Sequence, residues 1–370
     1  MTILDFAKSM PDHRQQVKVL HKSVDIVFIT VAAVICGAQD WEDVAALGEC
    51  KEDFFRKFLE LPNGIPSHDT FNRFFSNLDP ESMELQFRKW VRDVCAETTG
   101  LIAIDGKTIR GARSDSKSLF HMVSAFCTAN GVSLAQVKTS EKSNEITAIP
   151  LLIEALDLKD CMISIDAMGC QEAIARKIKG KKGDYLLAVK NNQKELYQSV
   201  EDTFRLQPQK EKKYAVETEA GHGRIETRTC YISNDLSLID IKKWDSVQTL
   251  VMIVSERYNK KQGKQEDTTI RYYISSAIKT PELFNNKVRM HWGIENNLHW
   301  ELDVSMGEDA SKKRAKNSPM NFSVVFKTVL TMLKKYVPSD MKNTSIKRKR
   351  KIAGWSDKHL LEMLMVNPEE

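Results

Sequence analysis

Apolar residues recur every three or four positions through residues 1–97, and this spacing predicts a series of short helices. Ser23 or Asp25 is a suitable cap for a helix that continues to Ile35 and ends near Gly37. The same spacing predicts further helices over 41–47, 52–59, 71–77 and 80–95. Such a region either binds DNA or serves only for packing, and the pattern by itself favours packing.

After residue 97 the pattern changes to short, continuous apolar runs of the kind that form buried strands. The predicted strands cover 101–104, 120–127, 133–139, 161–165 and 184–189, with helices over 145–156 and 170–178. Strands that are followed by alternating helices and strands are typical of a mixed sheet with helices on its faces. We therefore expect an α/β domain.

Residues 190–279 are polar and rich in strand-forming side chains, so this region is predicted to hold several further strands. Within it, the segment 221–228 (GHGRIETR) has two explanations that the residues do not separate. It is either a turn that leads into a strand or a loop that contacts phosphate. A helix is predicted after this region, over 317–335.

The segment 291–303 (HWGIENNLHWELD) concentrates aromatic, acidic and imidazole side chains, with one Gly and no Pro to interrupt a helix. In an α-helix His291, Glu295 and His299 are spaced i, i+4 and i+8 and lie on roughly one face. The segment is either part of a functional site or a partly buried amphipathic helix with solvated charges. A functional Glu295 needs partners elsewhere in the chain.

Two aspartates supply such partners, because Asp105 and Asp166 are each predicted at the carboxyl end of a buried strand. Functional side chains cluster at strand ends in sheets of this type. Each ionised pair among three carboxylates costs about 4 kcal/mol at 4 Å and an effective dielectric constant near 20. Divalent ions offset that repulsion, and oxygen ligands favour Mg²⁺ or Mn²⁺. Two such ions support phosphodiester displacement.

Other enzyme classes lack their signatures in this sequence. It contains no HExxH zinc motif, no GxxxxGK[ST] phosphate loop and no GxSxG nucleophile elbow. These absences disfavour a zinc protease, a P-loop ATPase and a serine hydrolase.

Composition bears on the binding partner and on the cellular compartment. The 370 residues carry a net charge of +5, which permits a nucleic-acid partner without requiring one, and a basic run covers 347–351. The seven cysteines form no CxxC pair, as expected for reduced thiols in a cytoplasmic protein. The longest apolar run, 26–38, is shorter than the roughly 20 residues that cross a bilayer, so no membrane association is predicted.

Seven motifs, in this order along nearly the whole chain, resemble the H-repeat-associated (Rhs-element) transposases. This family is a branch of the DDE transposases of bacterial insertion sequences. The motifs are GIPSHDT (64–70), IDGKTIR (104–110), EKSNEITAIP (141–150), DAMGCQ (166–171), GHGRIETR (221–228), YYISS (272–276) and the 291–303 segment continued to Asp309.

The resemblance implies an α/β fold with an RNase H-like mixed sheet, flanking helices and a strand-rich insertion, behind an all-helical N-terminal domain. The expected divisions are 1–97 for the helical domain and 98–336 for the catalytic domain, with its insertion at about 190–279. A basic C-terminal tail is expected over 337–370. The implied activity is metal-dependent cleavage and strand transfer at the ends of an insertion-sequence-like element.

Carried over by motif, Asp105, Asp166 and Glu295 would be the catalytic and metal-binding residues, holding Mg²⁺ or Mn²⁺, with two ions expected. The expected partner is double-stranded DNA, both element ends and target, bound by a homodimer in the cytoplasm and on the nucleoid. Residues expected to contact DNA are Lys107, Arg110, Lys142, Asn144, Lys190, Gln193, His222, Arg224, His299 and Trp300.

The sequence also departs from the family pattern. Asn191 stands where Gly is expected, which puts a backbone conformation with positive φ in question. In the wider DDE group Arg and Lys flank the third acid, whereas this chain has His291 and Leu302 at those positions. Two alternatives to an active transposase therefore stay open: a DNA-binding remnant that no longer transposes, and a metal-dependent nuclease without strand transfer.

Overall fold

A computed structural model describes residues 1–364, apart from 13, 16, 18, 96–98, 111–119, 140–144, 209–212, 222 and 339–342. The first part of the chain is helical, as predicted. Side chains begin several of these helices: Thr2 and Asp5 form a reciprocal capping box, and Asp40 and Asp79 accept backbone N–H bonds. The six helices are α1 (Ile3–Lys8), α2 (Ser23–Cys36), α3 (Trp41–Cys50), α4 (Glu52–Phe55), α5 (His68–Asn77) and α6 (Pro80–Val94).

Among the described residues from Gly100 onward, ten strands form one sheet. Nine of its strands follow the order β3-β2-β1-β4-β5-β10-β8-β7-β6, and the short β9 pairs with β8. The strands are β1 (Gly100–Ile109), β2 (Phe120–Cys127), β3 (Val132–Thr139), β4 (Cys161–Ile165), β5 (Asp184–Val189), β6 (Lys213–Gly221), β7 (Arg224–Ser233), β8 (Thr249–Asn259), β9 (Lys264–Gln265) and β10 (Thr269–Ser275).

The first five strands form an RNase H-like core. β1, β2 and β3 pair antiparallel in sequence, whereas β4 and β5 are added parallel to β1 on its other side. Every strand predicted between 101 and 189 is present. β1 is longer than predicted, because beyond Ile104 it continues to pair with β2 after its pairing with β4 has ended. The prediction that Asp105 terminates its strand is therefore wrong.

The strand-rich region extends this same sheet. β10 pairs antiparallel with β5, and β8, β7 and β6 follow outward. In the 221–228 segment a tight connection leads into a strand: Gly221 ends β6 and pairs with Arg224, the first residue of β7, and Gly223 between them has a φ of +78°. A helix that the sequence analysis did not predict, α9 (Lys194–Leu206), precedes these strands.

Further helices cover both faces of the sheet. They are α7 (Glu145–Glu154), α8 (Glu172–Gly180), α10 (Pro281–His291) and α11 (Ser318–Lys335). Alternate strand residues face opposite sides, so Leu101, Met162 and Leu186 pack with Phe284 and Val288 of α10. On the other face, strand residues join one large core with α7, α8 and α11.

The N-terminal helices share that large core. Phe322 of α11 packs against Trp41 and Phe75, and Asn321 donates hydrogen bonds to the carbonyls of Phe75 and Leu78. The described helices of residues 3–94 therefore bury their apolar faces against the sheet-bearing region and share its core.

The predicted basic tail is helical over most of its described residues. Residues 346–364 form α12 (Ile346–Trp355) and α13 (Asp357–Leu364), which pack against α2. Lys349 and Arg350 of the basic run are buried, because their side chains reach carbonyls at the ends of other helices. The interpretation of 337–370 as a simple tail is corrected accordingly.

None of the described helices is by itself long and apolar enough to cross a membrane. α2 and α3 reach the required length and apolar character only when taken together, and a 96° bend separates them. All seven cysteines are described, and each is a free thiol.

Candidate active site

Asp105 and Asp166 lie side by side at one edge of the sheet. Ile104 of β1 is in register with Ile165 at the end of β4, so the next residue of each strand is an aspartate. Asp166 leaves β4 and caps the short turn Ala167–Gly169, where its carboxylate accepts the N–H of Met168 at 3.0 Å. Both aspartates therefore have backbone positions set by hydrogen-bonded structure.

Glu295 is brought to the same edge by a helical segment that follows α10. The segment is helical, as predicted, but its hydrogen bonds at 295–299 and 301–305 span five residues and not four. Such wide turns break the i, i+4, i+8 face. His291 bonds Ser164 at 2.9 Å while Glu295 points to solvent, so these residues do not form a common metal site.

The three carboxylates interact electrostatically. Burial is the main cause that raises the pKa of Asp105 to about 7; the Gly106 N–H hydrogen bond opposes the rise, and the charges of Asp166, Glu145 and Glu295 add to it. A cluster of oxygen donors that repel one another at neutral pH suits a divalent cation. Among the described residues, however, no three ligand-type side chains converge closely enough to hold an ion as they stand.

His299 lies behind Asp105. Its Nδ1 is 3.6 Å from the Asp105 carboxylate, and its Nε2 is buried without a hydrogen-bond partner among the described atoms. Burial, together with the nearby Lys327 and Lys107 charges, lowers the pKa of His299 to about 3. The ring is therefore neutral, so any contact with phosphate would use an N–H group without a positive charge.

Lys107 occupies a buried ion-pair cluster. Its ammonium group lies 2.5 Å from Asp303, 2.6 Å from Glu308 and 3.5 Å from Asp309. Burial opposes its charge, but these carboxylates raise the pKa of Lys107 above its ordinary value. Lys107 is thus the ion-pair partner of Asp303, Glu308 and Asp309. Glu295 is exposed and takes no part in this cluster.

A buried His121–Glu145 pair, which the sequence analysis missed, lies beside Asp105. Nε2 of His121 contacts the Glu145 carboxylate, and Nδ1 is 3.0 Å from the Thr108 hydroxyl. A Cβ at Gly106 would overlap both side chains of the pair. The glycine of the IDGK motif is therefore required by close packing. The EKSNEITAIP motif contained the signal, since Glu145 is an acid at the start of a largely apolar helix.

A cleft of about 400 Å³ opens beside Asp166. Lys190 and Asn191 line one part of it, and Arg271 lies 5.3 Å from the ring of Trp292 in another. Asn191 sits in a short turn without positive φ, so the expected glycine conformation is absent at this position. The cleft combines cationic and aromatic groups next to the carboxylates.

The predicted DNA contacts fall into distinct environments. Arg110, Lys190, Arg224 and Trp300 are exposed. Gln193 instead bonds the Cys170 carbonyl at 2.9 Å and Gln171 at 3.2 Å, which ties the turn after β5 to the turn after Asp166. Three further predicted contacts, Lys142, Asn144 and His222, lie outside the described residues.

An RNase H-like sheet with acids at this edge defines the DDE class of nucleic-acid enzymes, and the sequence comparisons agree. The family described as "Transposase DDE domain" matches residues 97–324, and the family described as "DDE_Tnp_1-associated" matches residues 4–91. The chain belongs to the DDE transposase family. Its relatives place it with the H repeat-associated branch, as the sequence motifs predicted.

Two relatives extend over nearly the whole chain. The chain is 43% identical to "Putative transposase YncI" of Escherichia coli O157:H7, over 98% of its own length and 94% of the relative. It is 41% identical to "H repeat-associated putative transposase YhhI" of Escherichia coli K12, over 90% of each protein. A piggyBac transposase synaptic complex with hairpin DNA aligns with a TM-score of 0.44 and 11% identity, covering 98% of this chain and 82% of that one.

Proposed function

We propose that this protein is an active DNA transposase that cleaves phosphodiester bonds at the ends of its element and joins the freed strands to target DNA. The observation that carries the proposal is the register of β1 with β4, which places Asp105 beside Asp166. Burial chiefly raises the pKa of Asp105, and the charges of Asp166, Glu145 and Glu295 add to that rise. Three acids from β1, β4 and the 295–299 turn thus share one electrostatic environment.

Asp105, Asp166 and Glu295 would hold Mg²⁺ or Mn²⁺, with two ions expected. When bound, the ions would lower the pKa of the attacking water or 3′-hydroxyl and neutralise charge on the leaving oxygen. The chain's own residues position the acids. Asp105 and Asp166 are held by the β1–β4 pairing, whereas exposed Glu295 must move inward to complete the set.

The DNA strand would lie along the sheet edge and into the cleft beside Asp166. Lys190 and Arg271 supply positive charge there, and Trp292 supplies an aromatic surface that is 40% exposed. Arg110 and Trp300 are also exposed and would contact the same DNA. We propose that the protein acts as a homodimer on DNA, in the cytoplasm and on the nucleoid.

The proposal is tested by incubating the purified protein with Mg²⁺ and DNA that carries the element ends. Asp105→Asn, Asp166→Asn and Glu295→Gln should each abolish nicking and retain DNA binding. Glu282→Gln, which changes an exposed acid near the start of α10, is the matched control and should cut normally. Normal cutting by the Asp166 and Glu295 variants would show that the triad is misassigned.

Product analysis separates the alternatives. Joined element–target molecules are expected from a transposase, whereas nicks without joined products indicate a nuclease. Binding to element ends without any metal-dependent cut indicates a remnant that acts by occupancy alone.

A further inference from the structure

The basic run at 347–351 is divided by helix α12 into an inner and an outer part. Lys349 donates to the carbonyls of Leu333 at 2.6 Å and Tyr336 at 2.5 Å, at the end of α11. Arg350 donates to the carbonyl of Val34 at 3.0 Å and to that of Ser305. These two cations donate hydrogen bonds to backbone carbonyls near the ends of other helices, and the contacts fix the rotation of α12 about its axis.

The other three cations of the run point outward. Lys347, Arg348 and Lys351 are exposed, and none of them forms an ion pair with a described residue. At 3.6 residues per turn, these three residues and Trp355 fall within an arc of about 100°. The α12 sequence, IKRKRKIAGW, contains no acid that could neutralise this face.

Trp355 is held in solvent on the same face. Its side chain is 79% exposed, although α12 itself is firmly seated. Ala353 is fully buried, and a Cβ added at Gly354 would lie 3.4 Å from the Cys36 carbonyl of α2. A large aromatic side chain kept exposed on a rigid helix is typical of an interaction surface.

Helix α12 is also close to the segment that carries Glu295, through its inner face. α12 packs against 301–305, the continuation of the helical segment that begins at Glu295. Along that segment Trp300 is 52% exposed and Val304 is 53% exposed. The ten steps from Glu295 to Ser305 span at most about 15 Å at the α-helical rise of 1.5 Å per residue, which is the length of about four base pairs.

We infer that Lys347, Arg348, Lys351 and Trp355 form a docking surface for the phosphate–sugar backbone of duplex DNA that extends from the catalytic edge. The inference rests on the proposed function for its partner. The cations bind phosphates without reading sequence, and the indole packs against the sugar–phosphate surface. Lys349 and Arg350 serve this surface only by holding α12 in place.

Salt dependence provides the test, using the full-length protein and a short duplex of arbitrary sequence. The slope of log K against log salt concentration should fall by about 1–2 in Lys347→Gln/Lys351→Gln, and by about 2–3 when Arg348→Gln is added. Trp355→Ala should weaken binding several-fold without changing the slope, and Trp355→Phe should restore most of the affinity. Thermal melting should be unchanged in every variant, since all four residues are exposed.

A matched control carries the same charge change elsewhere. Lys159→Gln/Lys182→Gln removes two exposed lysines from turns that precede β4 and β5, at the sheet edge opposite Asp166, and should leave the slope unchanged. Equal slopes for wild type and the α12 variants would overturn the inference, as would an equal fall in the control. If the protein never nicks DNA but its salt slope still depends on the α12 cations, the proposed function is wrong and the docking surface is supported.

Discussion

The Lys107 ammonium lies 2.5 Å from the Asp303 carboxylate, and this contact joins β1 to the segment that carries Glu295. Lys107 is only two residues from Asp105, and Asp303 is eight residues from Glu295. The pair thus connects two of the proposed catalytic acids through buried charge. Glu308, whose other oxygen accepts from Ser323 at 2.9 Å, strengthens the connection.

Replacing Lys107 with Met should destabilise the protein by about 3 kcal/mol or more, because Glu308 and Asp303 would lose the ammonium group that lies within hydrogen-bonding distance of both. Urea unfolding measures this loss. Lys107→Arg, which keeps the charge, should retain most of the stability. If Lys107 instead contacts DNA phosphate, the Lys107→Met variant would keep the stability of the wild type. Its slope of log K for DNA binding against log salt concentration would fall by about 1.

The raised pKa of Asp105 predicts a pH-dependent stability in metal-free buffer. The folded state holds the Asp105 proton up to about pH 7, whereas the unfolded chain releases it near the ordinary value of 3.8. Stability should therefore fall as the pH rises from about 4 to 7, by at most about 4 kcal/mol for a three-unit difference in pKa. Asp105→Asn should remove that decline.

Mg²⁺ should counteract the same effect. In wild type at pH 8, adding the ion should raise the melting temperature, because the cation offsets the repulsion among the acids. Asp105→Asn should respond weakly to Mg²⁺ and melt above the metal-free wild type. A melting temperature that is insensitive to both Mg²⁺ and Asp105→Asn would contradict a shared charged site.

Gly106→Ala should destabilise the protein by about 2 kcal/mol or more and impair DNA cleavage. The new methyl group would overlap the His121–Glu145 pair, and β1 would have to move beside Asp105. Gly180→Ala provides the control, since the same methyl group meets open space at the end of α8. Similar unfolding midpoints for the two variants would refute the close packing at Gly106.

Arg350→Met should cost about 2–4 kcal/mol in the free energy of unfolding, because the carbonyls of Val34 and Ser305 would be left without their donor. Burial lowers the pKa of Arg350 to about 10, so the guanidinium remains charged at neutral pH. Lys351→Met changes the adjacent, exposed cation and should alter stability by less than about 0.5 kcal/mol. Chemical denaturation compares the two directly.

Local pattern predicted the secondary structure well. The strands β1 to β5 and the helices α2, α3, α5, α6, α7, α8 and α11 follow from apolar spacing and capping residues near each predicted end. The pairing between strands could not be predicted from local pattern. The continuation of β1 beyond Ile104 depends on its pairing with β2, which no local signal in β1 reveals. The amphipathic helix α9 was not predicted, because the region that contains it is rich in strand-forming residues.

The sequence by itself determined the family, the fold and the acids worth considering, because motif order and apolar periodicity are properties of the linear chain. Tertiary structure alone decided which charges have which partners. Lys107 was predicted to face DNA, yet its ammonium is held by Asp303 and Glu308. Lys349 and Arg350 enter the interior while Lys347 and Lys351 remain outside. Such differences depend on the direction each side chain takes in the folded protein, which residue type does not specify.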